Sequence, residues 1–560
     1  MNGSKKGWII AVAALALLLV LGAGVWFGRP AYHGYKENRA VKQAEAFLQQ
    51  GDLRNANLSL RIALALNSSN LTANLMMANL MEQGQSPAAI FYRKRVWEIQ
   101  PTLTNKLFLA ACALRYEKPP FPMTSALLRE MSGAGETNTQ YHLVASQFAL
   151  RLNQLTNAES HLQSAAKLAP TNLLHQLNLA TVRLQSADTN TASAARRDLA
   201  ALTSDPALGL PALRSLTADS VTRHDALGAA EYGRKLGSHP QATLDDRLLE
   251  LTALDEAKAP GFPETLARVQ SECKTNSITL AQLVSWMNGH GQARPALDWL
   301  ATLPAPIRET LPAPLAEADC YMTLRDWAGL QARLVGHRWE EQDFLRLGML
   351  ARALREQNQS EMAGRNWRLS LNAAKTRPEQ LLVLLQIVRG WGWEDETKDL
   401  LWAIVERMPT EEWPLQILER GYAAKEDSDG LYRVYQTLLE KHPESSLFKN
   451  NVATMGLLLG RNKARSVVLA REAYDASKTN AMIASTYAFA LHTEGKTADA
   501  LKLLQTFPET ELQRPEVALY YGVLLASAGE KGKAEGYFAV AEKGKPLPQE
   551  KALMNEARRN

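Results

Sequence analysis

From residue 41 onward, apolar residues recur three and four positions apart in short segments, and each segment ends at a cluster of Gly, Asn, Asp or Pro. A helix turns once every ~3.6 residues, so this spacing gathers the apolar side chains into one stripe. No run alternates apolar and polar residues as a half-buried strand does. The pattern predicts an all-α chain of amphipathic helices separated by turns.

The segments also repeat. G-K-T-A-D-A-L-K-L-L begins at Gly495 and G-E-K-G-K-A-E-G-Y-F at Gly529, 34 residues later. Each carries an Ala five positions after the Gly (Ala500, Ala534) and a bulky apolar residue four further on (Leu504, Phe538). Tyr521-Gly522 fall midway along the helix before the last turn, with Ala541 and Pro546 after Phe538. The same register holds at Gly392, Thr397, Leu401, Ile404 and Pro409, and at Leu431, Tyr435, Leu438 and Pro443. Ala363 and Trp367 supply one more second helix. Towards the N-terminus the signal is less regular but persists at Ala56, Leu60 and Ala63, at Ala89, at Ala158, Leu162 and Ala165, and at Ala296 and Leu300. It lapses at K-P-P-F-P near Lys118, at S-G-A-G-E-T-N from Ser132 and through much of 185–275, which read as longer loops or drifted repeats.

This spacing of small residue, large residue and closing proline resembles the tetratricopeptide repeat (TPR) family. The resemblance implies a solenoid of helical hairpins in a right-handed superhelix. A small residue on the second helix admits the first helix closely, a bulky one fills the seam to the next pair, and stacking buries what no pair buries alone. It divides the chain into irregular repeats over 41–342, a regular array over 343–546 and a C-terminal tail over 547–560, where A-R-R-N reads as a frayed end.

The N-terminus departs from the pattern. A six-residue basic tail with Lys5 and Lys6 precedes an uncharged run over residues 7–28. As a helix that run spans ~33 Å, one bilayer core, and Trp8, Trp26 and Phe27 stand at its ends, where an aromatic belt belongs. We read it as an uncleaved single transmembrane anchor followed by a juxtamembrane linker over 29–40; a cleaved export signal is the rival. The Lys-Lys pair before a long apolar run favours an extracytoplasmic bulk, although Arg29, Lys36, Arg39 and Lys42 pull the other way.

Composition narrows the function. A net charge of +5 over 560 residues gives no dense basic stripe for nucleic acid. Cys112, Cys273 and Cys320 are far apart and read as buried apolar residues, without a disulfide framework or zinc site. No catalytic, metal or cofactor signature is present; His290 and His337 lack ligand partners, and Gly529-Glu-Lys-Gly532-Lys533 has the wrong spacing for a phosphate loop. The sequons at Asn57, Asn67 and Asn70 matter only in a secreted eukaryotic setting.

What remains is a surface. Arg352, Gln386 and Arg420 recur at 34-residue steps on successive first helices, with Arg355 and Arg389 three residues from the first two. On a concave face these would form a ladder suited to an acidic or carboxylate-bearing protein segment. Trp391 and Trp393 lie at the adjoining turn, as partner anchors or as filling between repeats. The expected function is a non-catalytic, membrane-anchored, bacterial-type scaffold in envelope assembly or secretion. The alternative is an accessory subunit of an exopolysaccharide apparatus that contacts glycan through exposed tryptophans.

Overall fold

The computed structural model describes residues 32–559, and the expected transmembrane run over 7–28 lies outside them. Among the described residues all regular elements are helices, and no helix is long and apolar enough to cross a membrane. Successive helices pair as antiparallel hairpins, and first helices of neighbouring hairpins also touch one another, the packing the repeat pattern implies. The chain forms two compact units, one ending at Thr275 and one beginning at Asn276.

In the N-terminal unit the first helix runs over 32–49, so residues 29–40 are not a linker throughout: helix starts at residue 32. Of the two expectations for 185–275, longer loops or drifted repeats, the structure shows the second. The stretch holds no long loops but the helices Thr189–Leu202, Gly209–Thr222, Ala226–Gly237, Leu244–Glu256 and Phe262–Cys273. Its register survives as well. Thr181 Oγ1 and Ser215 Oγ lie 3.1 Å apart on successive first helices, 34 residues apart in sequence. Only some marker residues changed: Ala195 keeps a buried Leu199 four positions on, whereas Ala229 is followed at that step by Gly233, which lies close to Ala253.

The expected small and large positions are core. Ala56, Leu60, Ala63, Ala158, Ala165, Ala296, Ala500, Leu504, Ala534 and Phe538 are all buried. Several hairpin turns share one device. A residue in the left-handed region (His224, Arg325 or Glu426) reverses the chain, and the next residue, an Asp, caps the second helix. Asp225, Asp326 and Asp427 accept from the N–H of Gly228, Gly329 and Gly430 at 3.1, 2.9 and 2.9 Å.

The C-terminal unit contains the regular array. Its helices include α1 (Asp343–Glu356), α2 (Ser360–Ala374), α3 (Pro378–Gly390), α4 (Glu394–Arg407), α5 (Trp413–Ala424) and α6 (Ser428–Lys441). Further on, Pro515–Ser527 is apolar on every side and buried almost throughout, as such a helix must be. The expected frayed tail is instead a helix, Pro548–Arg559, with Pro548 at its start and Met554 buried. Arg558 pairs with Glu535 and Glu542, and Gln549 Oε1 accepts from Ser428 Oγ at 2.6 Å, 121 residues back. Leu553, Met554 and Ala557 pack on the terminal core, so a single apolar stripe orders this end.

Candidate docking groove

The two residue types singled out around 352–420 separate in the structure. α3 ends at Gly390, and the chain reverses through Trp391-Gly392-Trp393, with Gly392 at φ +73°, a conformation glycine adopts without steric cost. This turn drives Trp393 inward. Trp393 is buried and meets Trp367 and Trp391 edge-on, at centroid distances of 6.4 and 5.1 Å. Trp391 is half-buried. The pair fills the seam between hairpins and does not form an exposed aromatic platform.

Two of the expected arginines serve that seam. The Arg355 guanidinium lies 3.8 Å from the centre of the Trp393 ring and pairs with Glu396. Arg352 sits between Trp327 and Trp391, at 5.4 and 5.0 Å. Its Nε is buried without a hydrogen-bond partner, and burial holds its guanidinium below the ordinary arginine value.

The other three expected residues face solvent. Gln386, Arg389 and Arg420 are exposed. Among the described residues, neither Arg389 nor Arg420 has an ion-pair partner. α4 packs on both α3 and α5, and a groove of about 380 Å³ opens where Arg389, the Gly392-Trp393 turn, α4 and α5 meet. Its floor is Trp393, Leu401, Leu418 and Tyr422, and Ile417 and Gly421 of α5 form a side. Tyr422 is fixed from behind, because its hydroxyl accepts from Trp402 Nε1 at 2.9 Å.

The rim is mainly cationic: Arg389, Lys398 and Lys425 against Glu394. Lys425 pairs with Glu394, and the pairing holds that carboxylate below its usual range; Lys398 pairs with Asp395 at 3.1 Å. Arg389 is left as the uncompensated rim charge, with Arg420 on the same helix as Ile417 and Gly421. Such a site can seat a bulky apolar side chain and meet a neighbouring carboxylate with a guanidinium.

Sequence reasoning located the arginines but not the groove. Its missed residues are Ile417, Leu418, Gly421 and Tyr422. The available signal was Gly421, a glycine inside an amphipathic helix, where it costs stability relative to alanine. A Cβ there would meet nothing within 4 Å, so packing within the chain does not demand the glycine. Among the described residues no group of three or more His, Cys, Asp or Glu is placed to hold a metal ion.

No family model and no curated protein sequence matches the chain. Among solved structures, it is similar to a chain of the crystal structure of the APC/C hetero-tetramer Cut9-Hcn1. That likeness has 11% identity and a TM-score of 0.29, and covers 84% of this chain and 99% of the other. At that score it bears on neither mechanism nor partner.

Proposed function

We propose that the protein is a non-catalytic scaffold whose C-terminal unit captures an acidic or carboxylate-bearing segment of another protein in the groove between α3 and α5. The observation that carries this reading is the exposure of Arg389 and Arg420, without ion-pair partners among the described residues, beside an apolar groove open to solvent. The uncharged run over 7–28 would hold the scaffold at a membrane with its bulk outside the cytoplasm, in a bacterial envelope-assembly or secretion setting. We prefer this to the glycan reading, which looks to exposed tryptophans, because Trp393 is buried and Trp391 half-buried.

The test is site-specific photocrosslinking from position 417 in detergent-solubilised membranes, with the crosslinked peptide identified by mass spectrometry. The expected product is one protein, joined within a few residues of Asp, Glu or a C-terminal carboxylate, and lost in an Arg389→Glu/Arg420→Glu variant that still folds. A crosslinked segment without an acidic group, or one that survives the charge reversal, overturns the reading.

A further inference from the structure

The first hairpin carries a second surface, unrelated to the groove. Its second helix, Leu53–Leu66, has two faces. Ala56, Ser59, Leu60 and Ala63 point inward and are buried. Arg54, Leu58, Arg61, Ile62 and Ala65 are all exposed, and their spacing of four, three, one and three places them on one stripe. Leu58 is 58% exposed and Ile62 50%, a high exposure for two aliphatic side chains one turn apart. The helix contains no acidic residue. Neither Arg54 nor Arg61 has an ion-pair partner among the described residues. The stripe borders an open hollow of about 590 Å³ that Leu80 and Met81 of the next first helix help to line.

Asp52, the capping residue, is an acid at the start of the helix and lies near Arg54. Beyond it, a face of aliphatic side chains and arginines held in no ion pair is the pattern of a helix lying at a lipid interface, where arginines meet headgroup phosphates and aliphatics enter the acyl boundary. Position in the chain points the same way. The uncharged run ends at Gly28, and this hairpin begins at residue 32, so an anchor in the bilayer leaves the hairpin a few residues from its surface. That tether raises its effective concentration there and lets a weak contact persist. We infer that the outer face of Leu53–Leu66 rests on an anionic membrane surface, with Arg54 and Arg61 on lipid phosphates and Leu58 and Ile62 in the interface. The inference rests on the anchor reading of residues 7–28 and is independent of what the groove captures.

The test uses the full chain in vesicles. Cys112, Cys273 and Cys320 are buried, so an environment-sensitive maleimide dye on an Ile62→Cys variant reports position 62. The protein is reconstituted into phosphatidylcholine vesicles with or without phosphatidylglycerol. Quenching is measured with a doxyl-labelled lipid and with aqueous iodide, and membrane association by flotation in high salt. The expected result is strong lipid quenching with phosphatidylglycerol, loss of it without, and loss of the difference in Arg54→Glu/Arg61→Glu. Flotation with a dye open to iodide overturns the interfacial contact and leaves the anchor standing. Flotation with a dye shielded from both quenchers means that protein covers the face, the N-terminal run or a second copy, and also overturns it. Failure to float removes the anchor and the inference together. None of these outcomes bears on crosslinking at position 417.

Discussion

The Arg355 guanidinium lies 3.8 Å from the centre of the Trp393 ring, on α1 and at the turn before α4 respectively, and binds Glu396 from the same position. One residue of the expected binding ladder is thus part of the seal between two hairpins. Arg355→Lys keeps the charge but loses the flat stack and the forked donor, and should cost about 0.5–2 kcal/mol. Trp393→Ala should cost about 3–5 kcal/mol. Urea unfolding of the two variants checks both values, and equal stability of wild type and Arg355→Lys would remove the stacking argument.

Gly421→Ala and Gly522→Ala should move stability in opposite directions. Both glycines are in helices, where alanine gains about 1 kcal/mol from backbone propensity alone. At Gly421 a Cβ meets open space, so the gain should appear in full. At Gly522 it would lie 2.7 Å from the Phe538 ring and 3.4 Å from the Ala534 carbonyl oxygen. Overpacking of about 1–3 kcal/mol should then exceed the gain. Thermal unfolding of the two variants checks the sign of each change.

Filling the groove should separate binding from folding. Gly421→Leu places a side chain between Ile417 and the groove floor without disturbing the core, so the fold should persist while crosslinking from position 417 falls at least tenfold. Unchanged crosslinking by a folded Gly421→Leu variant would show that the groove itself receives nothing.

Asp319 should give the chain an inverted acid response. Burial pushes its carboxyl up to about 6, from an ordinary value of 3.8. Between those values the folded chain holds a proton that the unfolded chain has released. Stability from this group therefore rises as pH falls from 6 towards 4, and the cost of the buried charge is complete above 6. Asp319→Asn should be more stable than wild type at pH 8, by about 1–3 kcal/mol, and nearly equal at pH 4. Chemical denaturation at the two pH values checks this, and an Asn variant no more stable at pH 8 contradicts it.

The repeat itself was legible in the sequence, because a period is a local property. Ala500 with Leu504 and Ala534 with Phe538 mark where one helix must admit another, and these side chains are buried as their spacing requires. Over 185–275 the lapse left loops and drifted repeats equally open, because some markers were replaced while the 34-residue register survived, as the Thr181–Ser215 contact shows. At the C-terminus, the weight of Arg558 and Arg559 obscured the Leu553, Met554 and Ala557 stripe that docks the last helix.

The candidate site divides along the same line. Sequence alone set Arg352, Gln386 and Arg420 one repeat apart, and Arg355 and Arg389 one turn from the first two, because helix and repeat periods are fixed by backbone geometry. Which of them meet solvent depended on neighbours remote in the chain. Trp327 and Trp391 flank Arg352, and Trp393 and Glu396 hold Arg355. The packing of α4 and α5 about the Trp393 turn leaves Arg389 and Arg420 exposed and a groove open beside Gly421. Periodicity assigns a side chain to a face; only tertiary packing decides whether that face is filled by another part of the chain or left open for a partner.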